Sequence, residues 1–164
     1  MSIISDLYLI FDNEREKYVA TQSSKNLVLR ELAENLAFLR EGLAEKLEGP
    51  EIVAGLVNAQ LDRAIEAGLN FNTIQNRSLS KKTYGGAREF DKYNGWSTEK
   101  LVYKAYERLS ILKKLQASSA KIDIHARLQN LFKYLMILMA HIDGKQLSIT
   151  SSTPTKRVGR TPTP

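Results

Sequence analysis

Apolar residues recur at three- and four-residue steps along most of this chain, the spacing of helices that bury one face. The clearest run is Leu29, Leu32, Leu36, Leu39 and Leu43, with Leu47 four positions further on. Such a narrow seam predicts a bundle-type helix, with Arg30, Glu31, Glu34, Arg40, Glu41, Glu45 and Lys46 on its solvated faces. Ser23 or Ser24 stands where an N-cap belongs. Gly49-Pro50 is the expected stop, because glycine suits the turn past a helix end and proline cannot extend the ladder.

A third helix is predicted from Glu51 to Gly68, burying Val53, Leu56, Val57, Leu61, Ala64 and Ile65, with Gly68 as its C-cap. The next begins at Ser97, an N-cap flanked by Trp96 and Leu101 in the positions of a hydrophobic staple. Its stripe is Leu101, Val102, Ala105, Tyr106, Leu109, Leu112 and Leu115, and Ser118-Ser119 break it. The last helix carries Ile124, Leu128, Leu131, Leu135, Leu138 and Ile142, thickened by Phe132, Met136 and Met139. Apolar on more than one face, it is expected at the centre of the fold. Ahead of these, Ile4, Leu7, Phe11 and Tyr18 mark a helical segment between Ile3 and Val19, as one helix or two.

The pattern predicts an all-α chain: a four- to five-helix antiparallel bundle over residues 1–144 and a basic Thr/Pro-rich tail over residues 145–164. Its irregular part is the connection between the third and fourth helices. Residues 69–97 hold turn formers such as Asn70, Asn76, Gly85, Gly86 and Gly95, interleaved with Phe71, Tyr84, Phe90, Tyr93 and Trp96. A connection this long, against about 2–8 residues in ordinary bundles, is functional, disordered or holds a short helix.

Composition changes the picture in two ways. The 164 residues are 43% hydrophobic and 26% charged, enough for one globular domain with or without an appendage. Without cysteine there are no disulfides, thiolate metal sites or cysteine nucleophiles, which suits a cytoplasmic protein. The start, Met1-Ser2-Ile3-Ile4-Ser5-Asp6, lacks a basic n-region. The longest uncharged apolar stretch near the C-terminus, Tyr134 to Ile142, falls well short of the about 20 residues a membrane span needs. Charge is more informative: residues 1–80 carry 8 basic and 12 acidic side chains, residues 81–164 carry 16 and 6. A basic half of this kind steers anionic partners.

Candidate chemistry is sparse. His125 and His141 each stand two residues from an aspartate, Asp123 and Asp143. Sixteen residues of helix hold the two histidines about 24 Å apart, so neither pair reaches the three or four ligands a zinc ion takes. Phosphate-loop, dinucleotide, nucleophile-elbow and HExxH motifs are missing, and no arginine stands four to six residues before a histidine as in one class of helical ribonucleases. Tyr84-Gly85-Gly86-Ala87-Arg88 reads as a turn or as a weak backbone cradle for a phosphate. The sequence therefore points to a non-catalytic protein with no cofactor, no metal and no small-molecule substrate.

Two functional readings follow. In the first, the chain is an interaction or assembly subunit, pairing with a protein partner or its own copies through Tyr84, Arg88, Phe90 and Tyr93, unless these rings fold back to cap the bundle. In the second, a basic run binds nucleic acid with little base specificity. That run comprises Lys81, Lys82, Arg88 and Lys92 in the connection, then Lys100, Lys104, Arg108, Lys113, Lys114 and Lys121. Lys100, Lys104 and Arg108 step by four and share a helix face, and Lys156, Arg157 and Arg160 add charge in the tail.

Overall fold

The computed structural model describes residues 23–118 and 122–147. The segment between Ile3 and Val19, Lys121 and the tail beyond residue 147 lie outside the described residues. Among the described residues the chain is all-α, without a strand. Five of the described helices have seven residues or more: α1 (Ser24–Ala44), α2 (Gly49–Gly55), α3 (Ala59–Glu66), α5 (Thr98–Ala117) and α6 (Ile124–Ile142). The short α4 (Lys81–Tyr84) lies in the long connection. No described helix is long and apolar enough to cross a membrane.

The seam of α1 is buried as its spacing predicts, with Leu29, Leu32, Leu36 and Leu39 inside and Val28 beside them. Ser23 is the N-cap, its Oγ accepting the Asn26 N–H at 3.3 Å. The helix stops earlier than Gly49-Pro50, however. It ends at Ala44 in a Schellman motif, in which Leu47 N–H donates to Gly42 O at 2.9 Å and Lys46 N–H to Leu43 O at 3.3 Å. Leu47 thereby leaves the seam and is 38% exposed.

The same motif closes α3 at Gly68 (φ 70°) and α6 at Gly144 (φ 66°), but at the end of α1 the left-handed position is Lys46, with φ 56°. A Cβ there costs roughly 1–2 kcal/mol, and glycine returns part of that by loosening the unfolded chain. Lys46→Gly is therefore expected to stabilise the protein by about 0.5–1 kcal/mol, read as a higher urea midpoint at unchanged slope.

The helix predicted from Glu51 to Gly68 is two helices, α2 and α3, separated by Leu56, Val57 and Asn58. The cause lies on α1. Asn35, 3% exposed, donates from Nδ2 to Val57 O at 2.6 Å and accepts Val57 N–H on Oδ1 at 2.9 Å. One turn earlier, Glu31 accepts the N–H groups of Gln60 and Leu61 at 2.8 and 2.9 Å. Those are first-turn donors of α3 that no helical carbonyl can satisfy, so the carboxylate serves as a cap supplied from another helix. Glu31 is thus 5% exposed and not on a solvated face, where its spacing had placed it.

The long connection is folded. It runs through a 3₁₀ turn at Phe71–Thr73, then α4, then a 3₁₀ segment at Arg88–Tyr93. Leu79 N–H donates to Trp96 O at 2.9 Å and Gly95 N–H to Leu79 O at 2.8 Å, which ties the middle of the connection to its C-terminal end. Phe71, Leu79, Tyr84, Phe90 and Tyr93 all enter the core. Against them lies α6, with 11 of its 19 residues buried, the central position its pattern predicts. The core continues past α6: Leu147 is 5% exposed and its N–H donates to Thr83 O at 2.8 Å, so the expected tail contributes at least this residue to the fold.

One buried polar node joins the connection to α6. Thr98 Oγ1 donates to Gln75 O at 2.6 Å and lies 2.8 Å from His141 Nε2. The hydroxyl has one proton, so His141 is the donor in the second bond, which assigns the Nε2–H tautomer. His141 is 4% exposed, and desolvation holds its pKa below the usual 6.5. The folded pKa is depressed below the unfolded one, so on acidification the unfolded chain takes up the proton first. This contribution is fully present above pH ~6.5 and fades below it, by up to about 1.4 kcal/mol per pH unit until the folded pKa is reached. Urea midpoints at pH 7.5 and 5.5 are expected to show the loss, and His141→Gln to remove that part of the pH dependence.

Candidate functional site

The sequence placed its two sets of candidate residues on the long connection and on α5, and the structure treats the two differently. Tyr84, Phe90 and Tyr93 are 1%, 8% and 3% exposed. Their rings line up inward, with centroids 6.3 Å apart for Tyr84 and Phe90 and 6.4 Å for Phe90 and Tyr93. Tyr93 then meets Trp96 edge-on at 4.9 Å and Tyr134 of α6 at 5.3 Å. Contacts of this kind contribute about 0.5–1.5 kcal/mol each beyond the area they bury. Of the two outcomes open for these rings, they take the one that caps the bundle. Arg88 alone of that set remains at the surface. Gly85, with φ 61°, makes the turn that carries the chain from α4 toward the 3₁₀ segment, and Tyr84 Oη donates to Asp91 Oδ1 at 3.0 Å.

The cations divide by position. Lys81, Lys82, Lys100 and Lys114 are exposed, and Lys100 lies 4.2 Å above the Trp96 ring. Lys113 points away from the others, toward α3, and donates to Asn58 Oδ1 at 3.1 Å. Lys92, Lys104 and Arg108, in contrast, converge on one groove of about 360 Å³ between the 3₁₀ segment, α5 and α6.

Two further cations complete that groove from α6, Arg127 and Lys133, on either side of Asn130. Sequence reasoning passed over them because it read α6 for its apolar faces. The available signal was the polar row Arg127, Asn130 and Lys133 at three-residue steps. Five cations and two carboxylates, Glu89 and Glu107, give the groove a net charge of +3. The carboxylates form surface pairs, Lys104–Glu107 at 3.0 Å and Lys133–Glu89 at 3.7 Å, with both members of each at least 31% exposed. Such pairs contribute at most about 1 kcal/mol and open readily to a stronger anion.

Arg108 is the fixed point of the site. Its guanidinium sits 4.6 Å from the centre of the Tyr134 ring and 5.9 Å from that of Tyr93, and one Nη2–H donates to Tyr93 Oη. The rings are themselves held, since Tyr134 Oη donates to Leu101 O at 2.6 Å. Burial pushes the Tyr134 phenol far above its usual pKa, so it stays a neutral donor at every physiological pH. Among the described residues no carboxylate lies within ion-pair distance of Arg108. A guanidinium positioned by two rings in the wall of a groove of net positive charge, with no carboxylate within ion-pair distance, suits an oxyanion that fits its fork.

Among the described residues no three His, Cys, Asp or Glu side chains gather where one ion could bridge them. His125 is exposed near the start of α6 and His141 is buried at its end. Comparison with protein-family profiles, with curated proteins and with solved structures finds no match to this chain.

Proposed function

We propose that this protein is a non-catalytic nucleic-acid-binding subunit with little base specificity, and that the groove between α5 and α6 receives the phosphate backbone. The supporting observation is the convergence of Lys92, Lys104, Arg108, Arg127 and Lys133 on one concavity around a ring-anchored arginine. Each cation that displaces condensed counterions contributes to affinity without reading a base, as expected where lysine and arginine dominate and few neutral polar side chains line the wall. Burial of Tyr84, Phe90 and Tyr93 shifts weight from the protein-partner reading to this one, because it withdraws the aromatic surface that reading needs. Among the described residues, the large apolar side chains left exposed are Leu47, Val57, Tyr103 and Ile111, spread over the end of α1, the α2–α3 break and α5.

The test is fluorescence anisotropy of labelled RNA and DNA oligonucleotides titrated with the full chain, first at low salt. The expected result is saturable binding that weakens as salt rises. Absence of binding at low salt would reject the proposal and return the basic half of the chain to an acidic protein surface.

A further inference from the structure

We infer that the groove selects single-stranded over duplex nucleic acid, because its cations surround an exposed isoleucine that only an unpaired strand can use. The inference rests on the nucleic-acid reading and narrows its ligand class. Ile111, 39% exposed, lies among Lys104, Glu107 and Arg108 on the α5 wall, while Phe90, Leu112 and Leu131 are buried beneath the groove as its floor. A lone phosphate cradle has no use for an exposed isoleucine in its wall. A single strand does, because it presents phosphates on one side and the flat, apolar faces of unstacked bases on the other. In a duplex those faces are stacked on one another and only the phosphate ridges meet a protein that does not enter a groove.

With a phosphate on the Arg108 fork, the adjoining base meets Ile111, one turn further along the same helix. Duplex laid across the mouth reaches the outer cations, Lys92 and Lys133, and leaves the isoleucine without an apolar partner.

The experiment uses the full chain, a labelled mixed-sequence strand of about 12 nucleotides, and the same strand annealed to its complement, at one salt concentration. The single strand is expected to bind roughly tenfold more tightly than the duplex. Ile111→Ala, at a half-exposed position that the fold tolerates, is expected to weaken the single strand roughly threefold and leave the duplex unchanged. Equal or tighter duplex binding would overturn the selectivity while leaving nucleic-acid binding in place. A single-strand preference untouched by Ile111→Ala would overturn it as well, since the exposed isoleucine is its basis. Failure of both oligonucleotides to bind at low salt would overturn the selectivity together with the reading beneath it.

Discussion

Replacing Asn35 with alanine is expected to lower the unfolding free energy by about 3 kcal/mol. The side chain is 3% exposed and makes two bonds to one residue, donating to Val57 O and accepting Val57 N–H. Those bonds hold the break between α2 and α3. Removing them strands two backbone groups, at about 1–3 kcal/mol each when water cannot reach them; half-exposure of Val57 places the total nearer the lower end. The cavity left at Asn35 adds to the loss. Asn35→Asp keeps the shape and is expected to be no better, because a carboxylate oxygen would replace the Nδ2 donor 2.6 Å from Val57 O. Urea unfolding followed by helical circular dichroism measures both. A loss below about 1 kcal/mol for Asn35→Ala would show that the break is held by something else.

The second large effect concerns the groove. Arg127 is exposed and the Lys133 side chain is 51% exposed, so reversing both to glutamate is expected to move stability by no more than about 0.5 kcal/mol each. Their effect on binding is much larger. A unit charge 4 Å from a phosphate in water-like surroundings is worth about 1 kcal/mol, and two reversals change four units. Arg127→Glu/Lys133→Glu is therefore expected to weaken oligonucleotide binding by about two to three powers of ten at low salt. The same reversals on Lys113 and Lys114, which lie outside the groove, are expected to cost far less. Equal losses from the two pairs would replace the groove with a diffuse basic surface.

Local pattern carried much of the fold. The leucine seam of α1, the caps at Ser23 and Ser97 and the glycine end at Gly68 each depend on residues within one or two turns of each other, and all were legible in the chain. What escaped was set by distant partners. Asn35 meets Val57 across 22 positions and Glu31 meets Leu61 across 30, so a helix that periodicity extends from Glu51 to Gly68 is broken by two side chains of another helix. Glu31 fits a solvated face by spacing alone, and only the donors at the start of α3 bring it inside. The long connection was legible as aromatic and basic, but not the depth to which its rings are buried, because glycine and asparagine turns conceal the periodicity of a folded segment.

The candidate site divides in the same way. The row Lys100, Lys104 and Arg108 follows from helical spacing, while the partition that turns Lys113 toward Asn58 and brings Lys92 and Arg127 to Arg108 follows from how α5 and α6 pack. Arg108 itself stood in the chain as one basic residue among many. Its distinction is the pair of tyrosines beneath it, one from the connection and one from α6.

The most direct test of the central claim is the slope of log affinity against log salt for the unmodified full chain on a labelled single strand. If the groove holds a phosphate backbone with three to five of its cations, the slope is expected to be roughly −2 to −3.5, falling toward zero in Arg127→Glu/Lys133→Glu. A slope near zero in the unmodified protein, or no binding at low salt, would contradict the assignment of this groove to nucleic acid.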